Sequence, residues 1–150
     1  MDPWIDGNPS YPRGHEFSRI DAILITHGHF DHIHDAVPLA RQFWPQVVAI
    51  YETCEWLGSK GVANTCPMNK GGSQTVAGVK VTMTHAVHSC GILDSERIIY
   101  GGEASGYVLR LPTGARYTSP VTPTCSPTWR SSRSSTIRSW PSCPSATCSR

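Results

Sequence analysis

No acidic residue follows Glu103, although eleven occur at or before it. Basic residues continue to the last position, so the 150-residue chain, +2 overall, divides into unlike parts. Through Gly114 there are eight Lys and Arg against eleven Asp and Glu, a balance of −3; from Ala115 onward there are five against none, +5. An average of this kind does not describe a basic surface. With few aromatics among those arginines to stack bases, a nucleic-acid module ranks last among the possible functions. No run approaches the roughly 18 consecutive apolar residues of a membrane span, so no membrane partner is expected. The six cysteines form no CxxC pair, and no apolar run follows Met1. A disulfide framework and an export signal are thereby disfavoured, and a reducing cytoplasm is the expected compartment.

The chain is long enough for one ordinary domain. Residues 1 to 17 carry Gly7, Pro9, Pro12 and Gly14 and read as loop. Ile20 to Thr26 is a nearly continuous apolar run, as in a strand buried on both faces. From His34 to Trp44, apolar residues recur at three-to-four spacing, with Asp35 in the first turn and Pro45 at the end, which predicts a helix. Val47 to Tyr51 predicts a second buried strand, and Glu52 to Lys60 a short helix stopped by Gly61. A loop containing Pro67, Gly71 and Gly72 follows. Gln74 to His85 alternates around Gly78 as a hairpin, and Ile98 to Tyr100 and Tyr107 to Leu111 are further strand candidates. The sum is a mixed α/β domain over residues 1–114. Beyond it, 21 of the last 36 residues are Ser, Thr or Pro. A tail of that composition, residues 115–150, is expected to stay disordered.

Directly after the first predicted strand stand His27, Gly28, His29, Phe30, Asp31 and His32. Imidazole and carboxylate are suitable ligands for divalent ions, and alternate residues of an extended loop point the same way. His27 and His29 can therefore share one ion while Asp31 and His32 turn toward a second. Gly28 lets the backbone fold tightly between them. A chance His-rich turn is the bland alternative, but three histidines and an aspartate in six residues after a buried strand are poorly explained by it. His15 and His34 read as ordinary polar histidines.

The loop fits the HxHxDH pattern and resembles the metallo-β-lactamase superfamily of metal-dependent hydrolases. DPWIDGNP, ILITHGHFDHIHDA and THAVHSCG are further similar to the branch of ascorbate-6-phosphate lactonase-like proteins, a likeness covering Asp2 to Gly114. The resemblance implies a partial αββα sandwich and a third ligand of the first ion at His88. It also implies one or two ions, zinc first and manganese or iron as alternatives. His85 is expected to pack or hydrogen-bond at a strand end. In such a hydrolase Asp31 would be both a ligand and the catalytic group that orients, or takes a proton from, the attacking water. The substrate would be a small molecule with an ester, lactone or phosphodiester bond. Ser89 and Cys90 lack a base and an orienting group, so a covalent nucleophile is not expected there.

The same resemblance implies an opening hairpin before Asp2, a bridging aspartate in a Gly-Asp element and a last histidine, none of which the chain supplies. Read one nucleotide back, the degenerate codons from Thr118 to Trp129 permit FAGDTNVFADM, whose AGDT resembles the missing element. The tail is therefore expected to be an out-of-frame product of a shift near Ala115, and resequencing codons 110 to 120 tests this. Either a metal-dependent hydrolase or a non-catalytic metal-binding fragment is thus anticipated.

Overall fold

The computed structural model describes residues 1–119 apart from Arg13. Its centre is a parallel sheet of β1 (Ala22–Leu24), β2 (Gln46–Ile50) and β3 (Thr65–Met68), in that order. Alternate residues of a strand face opposite ways, and here both faces are covered. Ile23, Val47 and Ala49 pack on the helix side against Ala36, Ala40, Cys54 and Leu57. Leu24, Val48, Ile50 and Met68 face Val76, Val81, Met83 and Tyr107 on the other. That second layer is antiparallel: β4 (Ser73–Val76), β5 (Val79–His85), β8 (Ser105–Arg110) and β9 (Arg116–Ser119), ordered β4-β5-β8-β9. A separate hairpin joins β6 (Gly91–Asp94) to β7 (Arg97–Tyr100).

Helices α1 (Phe30–Ile33), α2 (Ala36–Phe43) and α3 (Tyr51–Ser59) complete the helix layer. None of the helices among the described residues is long and apolar enough to cross a membrane. The expected continuous helix from His34 starts instead at Ala36, after a separate turn of helix inside the histidine loop. Asp35 stands between the two. Its carboxylate caps neither helix and accepts the Ile5 and Asp6 amides, which ties the breaker-rich N-terminal loop to the domain.

Two strands lie where the sequence predicts loop or nothing. β3 contains Pro67, which is tolerated because β3 pairs with β2 alone and sits at the sheet edge. β6 was hidden by its turn, since Ser95 and Glu96 take positive φ (48° and 67°) without a glycine to announce it. The composition change at Gly114 falls within a hairpin: Arg116 to Ser119 pair with Tyr107 to Arg110, so the chain stays folded past residue 114. The remainder of the predicted tail, residues 120–150, lies outside the described residues.

Candidate metal centre

β1 ends at Leu24, and Ile25 and the bend at Thr26 are held by neighbours on both sides. The Ile25 amide donates to the Val48 carbonyl at 2.9 Å, the Ser105 amide donates to the Thr26 carbonyl at 3.0 Å, and the buried Tyr107 hydroxyl donates to the Ile25 carbonyl at 2.8 Å. His27 thus leaves a backbone fixed by both sheets. At Gly28 a Cβ would stand 2.3 Å from Ile92 Cγ1, so only glycine lets β6 close on the loop. His29 opens α1, which carries Asp31 and His32. His88 arrives from the β5–β6 connection, where the Ser89 hydroxyl lies 3.0 Å from His29 Nε2.

These elements gather three imidazoles. Ring centroids are 4.6 Å apart for His27–His29 and for His27–His88, and 4.9 Å for His29–His88. One nitrogen of each lies within 4.8 Å of the others. Asp31 and His32 stand beside the triad rather than in it. His32 Nε2 is 3.3 Å from Asp31 Oδ2, and the His27 and His32 rings are 4.0 Å apart. His15 stacks edgewise on Tyr11 and Phe17, and His34 contacts Asp35, both away from the cluster.

The hydrogen bonds around His27 fix its tautomer. Thr26 Oγ1 donates its single proton to Asp2 Oδ2 at 3.0 Å and lies 2.9 Å from His27 Nδ1, so at that contact the hydroxyl accepts. Nδ1 carries the proton and Nε2 keeps its lone pair. That Nε2 is buried with no partner. Burial, then the charges of His32, His29 and His88, pulls the His27 imidazole down to about 3. His29 is lowered by burial and the His88 charge, partly opposed by Asp31. For His32 burial also acts downward, but Asp2 and Asp31 outweigh it and raise the ring above its ordinary value. A neutral, lone-pair-bearing set of imidazoles is what a divalent cation requires.

Asp2 is the functional residue that sequence reasoning missed. It accepts the Thr26 amide at 2.7 Å, orients the Thr26 hydroxyl and sits 3.3 Å from His32 Nδ1. The DPWIDGNP segment marks it only through resemblance, because nothing in a loop-like stretch shows which acid folds back. Partners of this kind set ligand orientation, and their loss typically costs about 10–100-fold in metal affinity. Asp2→Ala is expected to weaken divalent-metal binding by that order in chelator competition; unchanged competition would show that Thr26 alone orients His27.

The family profile described as "Beta-lactamase superfamily domain" matches residues 1–129. A "UPF0173 metal-dependent hydrolase" of Solibacter usitatus is 74% identical over 112 residues, covering 75% of this chain and 49% of the relative. One from Koribacter versatilis is 55% identical over 111 residues, covering 73% and 48%. The chain spans about half the length of these curated relatives. Among solved structures, Igni18, a metallo hydrolase from the archaeon Ignicoccus hospitalis, has 27% identity and a TM-score of 0.51 over 61% of this chain and 37% of its own. The relatives' names carry no substrate, so kinship goes no finer than metal-dependent hydrolase and stops short of the lactonase-like branch. Profile, relatives and the α/β layers around the histidine cluster agree, and the chain belongs to the beta-lactamase superfamily domain family.

Proposed function

We propose that this chain carries the metal-binding part of a hydrolase acting on a small molecule with an ester, lactone or phosphodiester bond. The observation that carries the reading is the buried, unpartnered Nε2 of His27 inside a triangle completed by His29 and His88. A buried acceptor without a partner is costly, and an ion shared by three imidazoles removes that cost. His27, His29 and His88 would hold the ion, zinc first from the nitrogen ligands, with manganese or iron as alternatives. Asp31 and His32, already in contact, would serve a second. A bound divalent ion supplies Lewis acidity and a water whose pKa is drawn toward neutrality.

The chain's own groups do the rest. Thr26 and Asp2 keep the His27 proton on Nδ1. Ser89 on His29 Nε2 leaves Nδ1 of that ring to face the cluster. Asp31, partly exposed beside His32, orients the attacking water or takes its proton. Among the described residues Cys54, Cys66 and Cys90 form no disulfide, which fits a reducing setting.

A second reading, metal binding without turnover, rests on three imidazoles alone gathering within ligand distance while Asp31 and His32 stand beside them. Metal analysis after gel filtration, paired with hydrolysis panels of lactones, thioesters and phosphodiesters, separates the two. Roughly one tightly held divalent ion per chain is expected, lost in His29→Ala. Turnover that disappears in the same variant supports the hydrolase, and metal without turnover supports the fragment. A His29→Ala chain that keeps its metal removes both.

A further inference from the structure

We propose that Lys70 and His85 form an oxyanion-binding subsite beside the histidine centre, with the Glu103 carboxylate occupying the oxyanion's place. This rests on the hydrolase reading above and narrows its substrate to a small molecule bearing a carboxylate or phosphate group.

Lys70 lies in the β3–β4 connection, with Nζ 3.1 Å from His85 Nδ1 and 2.7 Å from Glu103 Oε2. The two charged partners are unequally placed. The Lys70 side chain is 19% exposed and that of Glu103 68%. A side chain so largely covered is held in place, whereas an ion pair with so exposed a carboxylate is weak. The cation is therefore the fixed member and the carboxylate the replaceable one. A lysine ammonium has only protons to give, so His85 Nδ1 accepts and the ring proton sits on Nε2. The cluster thus offers an oxyanion one charged donor, Lys70 Nζ, which His85 holds in place.

Gly102, before Glu103, has φ +85°, and a Cβ there would meet Glu52 Oε2 at 2.5 Å, so the backbone packs closely at that point. Position links the cluster to the centre. His85 ends β5 paired with Ser105, whose amide holds the Thr26 carbonyl next to His27. Only Ala86 and Val87 separate His85 from His88, so their Cα atoms lie at most about 11 Å apart. One small molecule can place an oxyanion on Lys70 and a scissile bond at the triad.

The competing account is a strut that ties the β3–β4 loop to β8 and binds nothing. Chelator-treated full chain is titrated with inorganic phosphate and, separately, with acetate, followed by amide chemical shifts and calorimetry. Saturable shifts are expected at Lys70, His85 and Glu103. Binding should weaken about tenfold in Lys70→Met and tighten about tenfold in Glu103→Gln, with Lys70→Arg retaining it. A phosphate response names phosphate-bearing substrates and an acetate response carboxylates.

Absence of saturable binding by either anion overturns the subsite, as does equal binding in a folded Lys70→Met. Should Lys70→Met fail to fold, Glu103→Gln decides: tighter binding supports the subsite and unchanged binding leaves the strut. Metal stoichiometry of parallel samples not treated with chelator separates the two levels. Anion binding without metal sinks the hydrolase reading, and metal binding without anion sinks the subsite alone.

Discussion

His27→Ala is expected to abolish stoichiometric metal binding, lowering affinity by more than the roughly 100-fold that loss of an orienting partner can cost. The reason is geometric. His27 is the buried member of the triad and follows directly on Ile25 and Thr26, which both sheets hold, so its loss removes the most fixed ligand position. The variant should also change how the metal-free protein responds to acid. In the fold the His27 imidazole stays neutral down to about 3, whereas in the unfolded chain it takes a proton near its ordinary value of 6.5.

The unfolded state thus binds more protons between those limits, and stability falls as pH drops through that window, by up to about 1.4 kcal/mol per pH unit. His29, also lowered, adds to the same trend. His32, raised, acts oppositely: its contribution is present in acid and disappears as pH rises through its folded value. Urea unfolding of chelator-treated protein at pH 7, 5.5 and 4.5 checks this. The native chain should lose stability across the series and His27→Ala should lose markedly less. Parallel slopes would mean that His27 is protonated in the fold.

Tyr107→Ala is expected to unfold the domain or bring it close to unfolding. The ring is fully buried between the parallel and antiparallel sheets, packed with Leu24, Val48, Met83 and their neighbours. Its hydroxyl donates to the Ile25 carbonyl at 2.8 Å and lies 3.4 Å from that of Val48. Truncating a buried large aromatic costs about 3–5 kcal/mol, against total stabilities of about 5–15 kcal/mol for whole domains. Tyr107→Phe keeps the volume and removes only the donor, at a cost of about 0.5–1.5 kcal/mol. Thermal unfolding of the pair is informative, because near-equal losses would show that the hydroxyl, and not the ring, unites the layers.

The parts legible in the sequence are those in which one local signal has one structural meaning. Ala22 to Ile25 is apolar at every position because helices cover one face and a sheet the other. The histidine loop was legible because its ligand types cluster within six residues. β6 and β3 were not, since Ser95 and Glu96 adopt a turn that glycine normally signals, and Pro67 normally marks a loop. Asp2 escaped because its role depends on a fold-back to Leu24 and Thr26, more than twenty residues away. Lys70 and Glu103 meet across 33 residues of sequence, and no local pattern announces such a pair.

The contact between Ser89 and His29 spans 60 residues, and Ile92 seats on Gly28 across a similar interval. Closing so long a segment is entropically slow, and such non-local pairings form late in folding. The triad is therefore complete only once that segment has closed. An ion arriving earlier meets only the local His27–His29 pair. Once His88 joins, the ion acts as a clasp on a long loop, so metal loading should be read as a report on how far folding has proceeded.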